Sequence, residues 1–416
     1  MPFTSPLFSE LVLSTKDFSP LTRTDDPTWS GRSMYPNALR DLLVRWAEIN
    51  SGSGNIAGLE RLHAMLASEF ATLPGAQIES VALEGTPARA LRGRVRPDAP
   101  QLILLSGHYD TVYDADHPFQ HCTLLDEHTL RGPGVSDMKG GLVVMLAALR
   151  EFERSPNAAQ LGYEILITPD EETGSVASRP VIEAAARSGR FAFALVFEPA
   201  RPNGDLVKSR KGTGIFTLTC HGRAAHAGRN PEAGRNAILG LAEYLPRVDA
   251  LNRELSGVML NVGSIRGGGA VNIVPDFASA GLNIRTTRND DEALVLRRLR
   301  ELGESINARD GFRLEITGRF NRPPKEATSS EEQLFTAWQQ CARELGVNVS
   351  WQHVAGGSDG NLFSAAGLPN LDGLGPVGDH LHSPEEFVRL PSIVERARIT
   401  ALFLQKIEAG SHEPMK

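Results

Sequence analysis

The chain has 416 residues, 41% of them hydrophobic and 22% charged, with a formal net charge of −7. That length exceeds one ordinary core and predicts two or three domains, while a mild acid excess without Lys/Arg blocks argues against nucleic acid or an anionic membrane as the main partner. The longest near-apolar run, Leu142 to Leu149, falls far short of the ~20 residues of a membrane helix. The opening "MPFTSPLFSELVLSTKDFSP" lacks a basic segment ahead of an apolar one and does not read as a secretory signal, so a cytoplasmic location is expected. Cys122, Cys220 and Cys341 are odd in number and widely spaced, which fits reduced thiols. Any metal must then be held by histidine and carboxylate.

After a Pro/Ser/Thr-rich lead, amphipathic periodicity predicts helices over Pro36 to Ile49 and Ala57 to Phe70. Strands are expected near Gln77–Leu83, Arg89–Val95 and Gln101–Ser106, then a helix over Lys139 to Phe152. The strand "YEILITP", a helix near Val176–Arg187 and the strand "FALVFEP" follow. This alternation implies an α/β domain with a largely parallel sheet, whose ligands gather at the carboxyl ends of the strands. From about residue 209 the pattern changes to half-buried alternating strands, "GIFTLTCHG" and "ASAGLNIRT". Helical stretches lie within Pro231–Leu255, where Pro246 should break or kink the run, and near Asp290–Ala308. This α+β segment closes at "GRFNRPPK", and helix and strand patterns then resume. The expected organisation is a catalytic domain of residues 1–208 and 323–416 carrying an insertion, 209–322.

Chemistry-bearing residues fall at the expected strand ends and adjoining loops. His108 and Asp110, spaced i, i+2, share one face where "LLSGHYDTVY" leaves the sheet. Asp137 lies in "RGPGVSDMKGG", Glu171 and Glu172 in "TPDEETGS", Glu198 in "FEP", and His380 and His382 in "GDHLHSPEE". Each by itself reads as a cap or a solvated side chain. Together they supply nitrogen and oxygen donors suited to zinc, and enough of them for two ions with one carboxylate left as general base.

In this order, "SGHYDTVY", "GPGVSDMKGG", "DEETGS", "FEP" and "HSPEEFV" resemble the motifs of the di-zinc metallopeptidases that include glutamate carboxypeptidase, acetylornithine deacetylase, succinyl-diaminopimelate desuccinylase and aminoacylase. "HYDTVY" and the GPG loop are most like those of the bacterial glutamate carboxypeptidases. The resemblance implies a di-zinc exopeptidase (phosphorylase/hydrolase-like) α/β catalytic domain with an inserted ferredoxin-like lid that also forms a homodimer. It further implies two zinc ions per subunit, replaceable by Co2+ or Mn2+: His108 and Glu198 on one, Glu172 and His382 on the other, Asp137 bridging. Asp110 would orient His108, and Glu171 would take a proton from a metal-activated water. His226, in "HGRAAHAGRNP", would reach the partner subunit's site as oxyanion donor. Asn272, Arg285 and, on the catalytic side, Gly357 would bind the substrate's α-carboxylate, with Arg322 a further contact.

The implied reaction is amide hydrolysis in N-acyl amino acids or short peptides with a free α-carboxylate. The stretch "EPARPNGDLVKSRKG" reads more like the broader deacylase branches, which keeps acetylornithine deacetylase, desuccinylase and N-carbamoyl amino acid hydrolase chemistry in view. A catalytically silent metal or amino-acid binding protein is the reading from another class, and Glu171 argues against it. A non-metal α/β hydrolase is not expected, on the reading that no G-x-S-x-G elbow precedes a helix.

Overall fold

The computed structural model describes residues 36–156 and 158–410; the Pro/Ser/Thr-rich lead lies outside them. Two helices open the described residues, α1 (Pro36–Ala47) and α2 (Ile56–Phe70), followed by β1 (Gln77–Ala82), β2 (Arg89–Val95) and β3 (Gln101–His108). Next come β4 (Thr123–Asp126), β5 (Thr129–Arg131), α3 (Lys139–Phe152), β6 (Leu161–Thr168), α4 (Arg179–Ala186), β7 (Ala194–Val196) and β8 (Leu206–Arg210). The middle of the chain forms β9 (Gly212–His221), β10 (Ala225–His226), α5 (Ala237–Glu254), β11 (Val258–Gly267), β12 (Ile273–Val274), β13 (Phe277–Thr286), α6 (Asn289–Asn307) and β14 (Arg313–Arg322). The remainder supplies α7 (Ser329–Glu344), β15 (Trp351–Val354), α8 (Asp359–Ala365), β16 (Asn370–Asp372), β17 (Gly378–Asp379), β18 (Phe387–Arg389) and α9 (Leu390–Gly410). None of the described helices is long and apolar enough to cross a membrane.

These elements form two compact units. The first takes residues up to Lys208 together with Ala327–Val354 and everything from Ser358. Its main sheet has the order β1-β2-β6-β3-β7-β16-β8-β15. Only the middle is parallel, β6-β3-β7-β16; β1, β2 and β8 pair antiparallel, so the largely parallel sheet expected from the alternation is a mixed one. The reason lies in the connections: β1 to β2 is a short hairpin, whereas the parallel strands are joined through helices. Strands β3 and β6 are buried along almost their whole length, as strands covered on both faces must be. Helix α3 is the central cover. A side chain on Gly141 would place its Cβ 1.9 Å from the Phe197 carbonyl oxygen, so glycine is what lets the helix approach the strand end that leads to Glu198. A second sheet, β17-β18-β5-β4, was not legible as strands in the sequence.

His63 gives the first unit a pH dependence. It is buried on α2, with Nε2 2.7 Å from the Ser80 hydroxyl. Burial first, and the Arg89 charge second, hold its pKa below the usual imidazole value, with a backbone contact at Arg89 opposing them. The unfolded chain therefore binds the proton more readily, so stability is full above about pH 6.5 and falls as the pH drops. We expect His63→Gln to lose less thermal stability than the parent between pH 7.5 and 5.5. Equal losses in the two proteins would rule out this assignment.

The second unit is Ser209–Glu326 with Ala355–Gly357. A four-stranded antiparallel sheet, β11-β13-β9-β14, is backed by α5 and α6, with Phe216, Leu218, Leu241, Tyr244, Leu282 and Leu299 in its core. Its last residues stay attached beyond Arg322 because Arg210 and Lys325 exchange backbone hydrogen bonds of 3.1 and 2.9 Å. Of the break or kink expected at Pro246, the break does not occur: α5 runs on through the proline. The proline sits on the exposed face, where water can serve the carbonyl of Ala242, while buried Leu241, Tyr244, Val248 and Leu251 hold the helix on the sheet. That packing outweighs a cost of about 3 kcal/mol.

Candidate active site

Three parallel strands end side by side in the first unit. β3 finishes at His108, β6 leads into a 3-10 turn carrying Glu171 and Glu172, and β7 leads to Glu198. The small sheet supplies the rest. β5 and β18 are antiparallel neighbours, Arg131 opposite Phe387, so the loop leaving β5 and the loop entering β18 emerge together. The first carries Asp137 and the second His382.

Asp137 lies between the two histidines. Its Oδ1 is 3.2 Å from His108 Nε2 and its Oδ2 is 3.3 Å from His382 Nε2. His382 Nε2 is also 3.1 Å from Glu172 Oε2, and His108 Nε2 is 3.8 Å from Glu198 Oε1. Ligand atoms about 2.0–2.1 Å from a tetrahedral zinc stand about 3.3 Å apart, so the three spacings of 3.1–3.3 Å suit a shared metal, and the His108–Glu198 spacing of 3.8 Å is wider. Donor atoms of His108, Asp137 and Glu172 all lie within 4.8 Å of one another. The residues therefore fit two metal ions with Asp137 between them. His382 sits in a left-handed turn, φ 61°, and His380, φ 57°, turns toward the Phe387 ring instead. His117 packs on Tyr113, and exposed His121 lies near Glu48.

Asp110 does more than the sequence suggested. Its Oδ1 is 3.2 Å from His108 Nδ1 and accepts the Glu171 N–H at 3.1 Å, while Oδ2 accepts the Glu172 N–H at 3.1 Å and the Ser53 hydroxyl at 2.7 Å. One buried carboxylate thus orients the imidazole and anchors the turn bearing both glutamates. Glu171 Oε2 is 4.0 Å from His108 Nε2, beside these four contacts and longer than each of them.

Such a concentration of carboxylates needs positive charge. Burial alone would lower the His108 pKa, yet hydrogen bonds to Asp110 and Asp137 and the charges of Glu198 and Glu171 raise it well above the usual value. Asp137 and Glu172 push His382 up to about 11. Burial and the neighbouring Asp137 charge push Glu172 up to about 8. Asp137 itself is held below the usual carboxylate range, because hydrogen bonds from both histidines outweigh its burial. In the absence of metal the imidazoles would hold protons here, and cations are the natural replacement.

Sequence reasoning missed Ser53, Tyr113 and Glu386. Buried Glu386 accepts backbone N–H bonds from Gly134 (3.1 Å), Ser136 (2.9 Å) and Asp137 (3.0 Å), and the Tyr113 hydroxyl at 2.9 Å. Burial pushes its pKa up to about 7 against those donors. The only trace in the sequence was the acid pair after "HSP".

The letters G-x-S-x-G do occur, at Gly356–Gly360 ahead of α8, which corrects the expectation that no such elbow is present. Ser358 is not a nucleophile in it. The residue is fully buried in extended conformation, donates to Asp372 Oδ2 at 2.8 Å and caps α8 by accepting the Gly360 N–H.

The second unit places four of the other five candidates in two groups. His226 and Asn272 belong to the ribbon β10-β12, where the Asn272 carbonyl accepts the Ala227 N–H at 2.9 Å. Arg285, which donates to Asn283 Oδ1 at 3.1 Å, and Arg322 both pair across from Thr213 at the far end of the sheet. Arg285 lines a cavity of about 650 Å³ with Lys211, Asn252 and Asn283. Eight residues of β13, on the order of 25 Å, separate Arg285 from Phe277, where the ribbon springs. The sheet of one chain thus sends Asn272 and Arg285 from opposite ends. Gly357 groups with this unit and not with the catalytic side, because Arg210 Nη1 donates to the carbonyls of Gly356 and Gly357 at 3.2 and 3.4 Å.

Comparison with known proteins gives the family. Residues 104–406 match the model of Peptidase family M20/M25/M40. Carboxypeptidase G2 of Pseudomonas sp. (strain RS-16) is 25% identical over 378 residues, 88% of this chain and 89% of that protein. Succinyl-diaminopimelate desuccinylase of Acidovorax ebreus (strain TPSY) is 31% identical over 314 residues, 71% of this chain and 78% of that one. Among solved structures, the aminopeptidase PepT of Bacillus cereus ATCC 10987 shares the fold at a TM-score of 0.75 and 20% identity, over 90% of this chain and 99% of that one. The chain belongs to peptidase family M20/M25/M40 and is a hydrolytic enzyme acting on amide bonds.

Proposed function

We propose that the protein is a di-zinc amidohydrolase that cleaves N-acyl amino acids or short peptides carrying a free α-carboxylate. The observation that carries this is Asp137 placed between His108 and His382 at ligand spacing. His108 and Glu198 would hold one zinc, Glu172 and His382 the other, and Asp137 both; Co2+ or Mn2+ could substitute. When bound, zinc lowers the pKa of water toward about 7 and polarises a carbonyl. Glu171 accepts the proton of the attacking water and passes it to the leaving amine. Asp110 keeps the His108 ring and the Glu171 turn aligned. His226 donates to the developing oxyanion, and Asn272, Arg285, Gly357 and Arg322 receive the carboxylate, for which a guanidinium fork is suited.

The second unit supports a homodimer. His226 and Asn272 spring from the end of the sheet opposite Arg285, so two chains together supply what one cannot bring to a single small substrate. The edge strand β11 pairs only with β13 among the described residues and exposes Met259 and Ile265, with Leu239 of α5 also exposed. Such an edge is a template for a second copy. Cys122, Cys220 and Cys341 are unpaired, which supports a reducing, cytoplasmic compartment.

The test is hydrolysis of a panel of N-acyl and N-carbamoyl amino acids and dipeptides by protein stripped of metal and reloaded with zinc. We expect zinc-restored turnover, with kcat/KM falling at least about tenfold when the α-carboxylate is amidated. The 31% identity to a desuccinylase makes acidic acyl groups the first panel members. Failure of zinc to bind, or indifference to amidation, would overturn the reading.

A further inference from the structure

We propose that Glu386 is a positioning residue that sets the separation of the two metal sites by tying the Asp137 loop to the His382 loop; this rests on the di-zinc reading above. The geometry that carries it is the number and origin of its partners. Oε1 accepts the N–H groups of Ser136 and Asp137 at 2.9 and 3.0 Å, and Oε2 accepts the Gly134 N–H at 3.1 Å and the Tyr113 hydroxyl at 2.9 Å. Glu386 is 1% exposed, so its charge has surrendered water for these donors.

The same residue belongs to the loop bearing His382. Its own N–H donates to the Ser383 carbonyl at 3.0 Å, and its carbonyl accepts the Gly132 N–H at 3.1 Å. Tyr113 closes the circuit by also lying within 2.8 Å of the Ser383 carbonyl. One carboxylate therefore fixes the backbone of the residue between the two metal positions and the loop that brings a histidine to one of them. Strand pairing alone does not do this, because the ladder between β5 and β18 ends at Arg131 and Phe387, and both loops lie beyond it.

Glutamine is the informative substitution. A carboxamide keeps one acceptor oxygen but turns an NH2 toward donors. The Tyr113 hydroxyl can rotate to accept, since the Ser383 carbonyl remains for its proton, but a backbone N–H cannot reverse. Glu386→Gln therefore forces the Asp137 loop away while preserving side-chain volume.

The experiment compares wild type, Glu386→Gln and Tyr113→Phe by zinc titration, by metal analysis and by the rise in Tm that zinc produces in the stripped protein. We expect two zinc ions per wild-type chain, at least about tenfold weaker binding of one or both in Glu386→Gln, and a smaller zinc-induced rise in Tm. Tyr113→Phe should move the same way by less, and kcat should fall more than KM changes. If Glu386→Gln lowers the Tm of stripped and loaded protein equally and leaves zinc affinity intact, the residue is merely structural and the proposal is overturned. Should that variant fail to fold, unaltered zinc affinity in Tyr113→Phe overturns it as well. A wild-type chain that binds no zinc refutes the di-zinc reading itself, a result distinguishable from either.

Discussion

Glu171→Gln lowers kcat by about 10²–10⁴-fold with bound metal unchanged, the range expected when a general base is removed. The substitution is isosteric, and the turn that presents Glu171 is held through backbone N–H groups on Asp110, so it persists in the variant. The 4.0 Å from Glu171 Oε2 to His108 Nε2 exceeds the 3.1–3.3 Å of the contacts His382–Glu172, His108–Asp137 and His382–Asp137, and is close to the 3.8 Å of His108–Glu198. In the proposed mechanism this carboxylate would serve the attacking water and would not be required to hold the metals. Kinetics beside metal analysis of the same sample checks this. If metal disappears together with activity, Glu171 is a ligand; if kcat survives, the base is another group.

His226→Ala loses about 10²–10³-fold in kcat, as removal of one oxyanion donor does, and regains activity when mixed with Glu171→Gln. The regain follows from the second unit. If His226 serves the partner's site, a mixed dimer contains one site with both an intact Glu171 and an intact His226. At equal input half the dimers are mixed and one of two sites in each is whole, so roughly a quarter of wild-type activity returns. Activity that stays at the level of the separate variants, although exchange of subunits is demonstrated, would place His226 and Glu171 in the same chain's site.

Legibility varied with the range of the interaction. Helix α3 appears in the sequence with both its ends, because burial of one continuous apolar run flanked by glycines is a local signal. The strands β4, β5, β17 and β18 are two to four residues each, too short for any alternation to register. Pro246 was expected from propensity to break or kink its helix, and tertiary packing overrode the break.

By itself the sequence marked candidates for the chemistry: His108, Asp137, Glu171, Glu172, Glu198 and His382 all follow strands or flank glycine loops, and an α/β sheet delivers such positions to one rim. Only the tertiary structure decided how they are held. Glu386 meets the N–H of Ser136 from 250 residues away, and no periodicity or spacing encodes a contact of that kind. The same holds for Gly357, drawn to the second unit by Arg210, and for Asn272 and Arg285, which antiparallel pairing sends to opposite ends of one sheet. Strand ends and apolar stripes are properties of neighbours in the chain, whereas hydrogen-bond partners and the direction of a sheet are fixed only when distant segments pack.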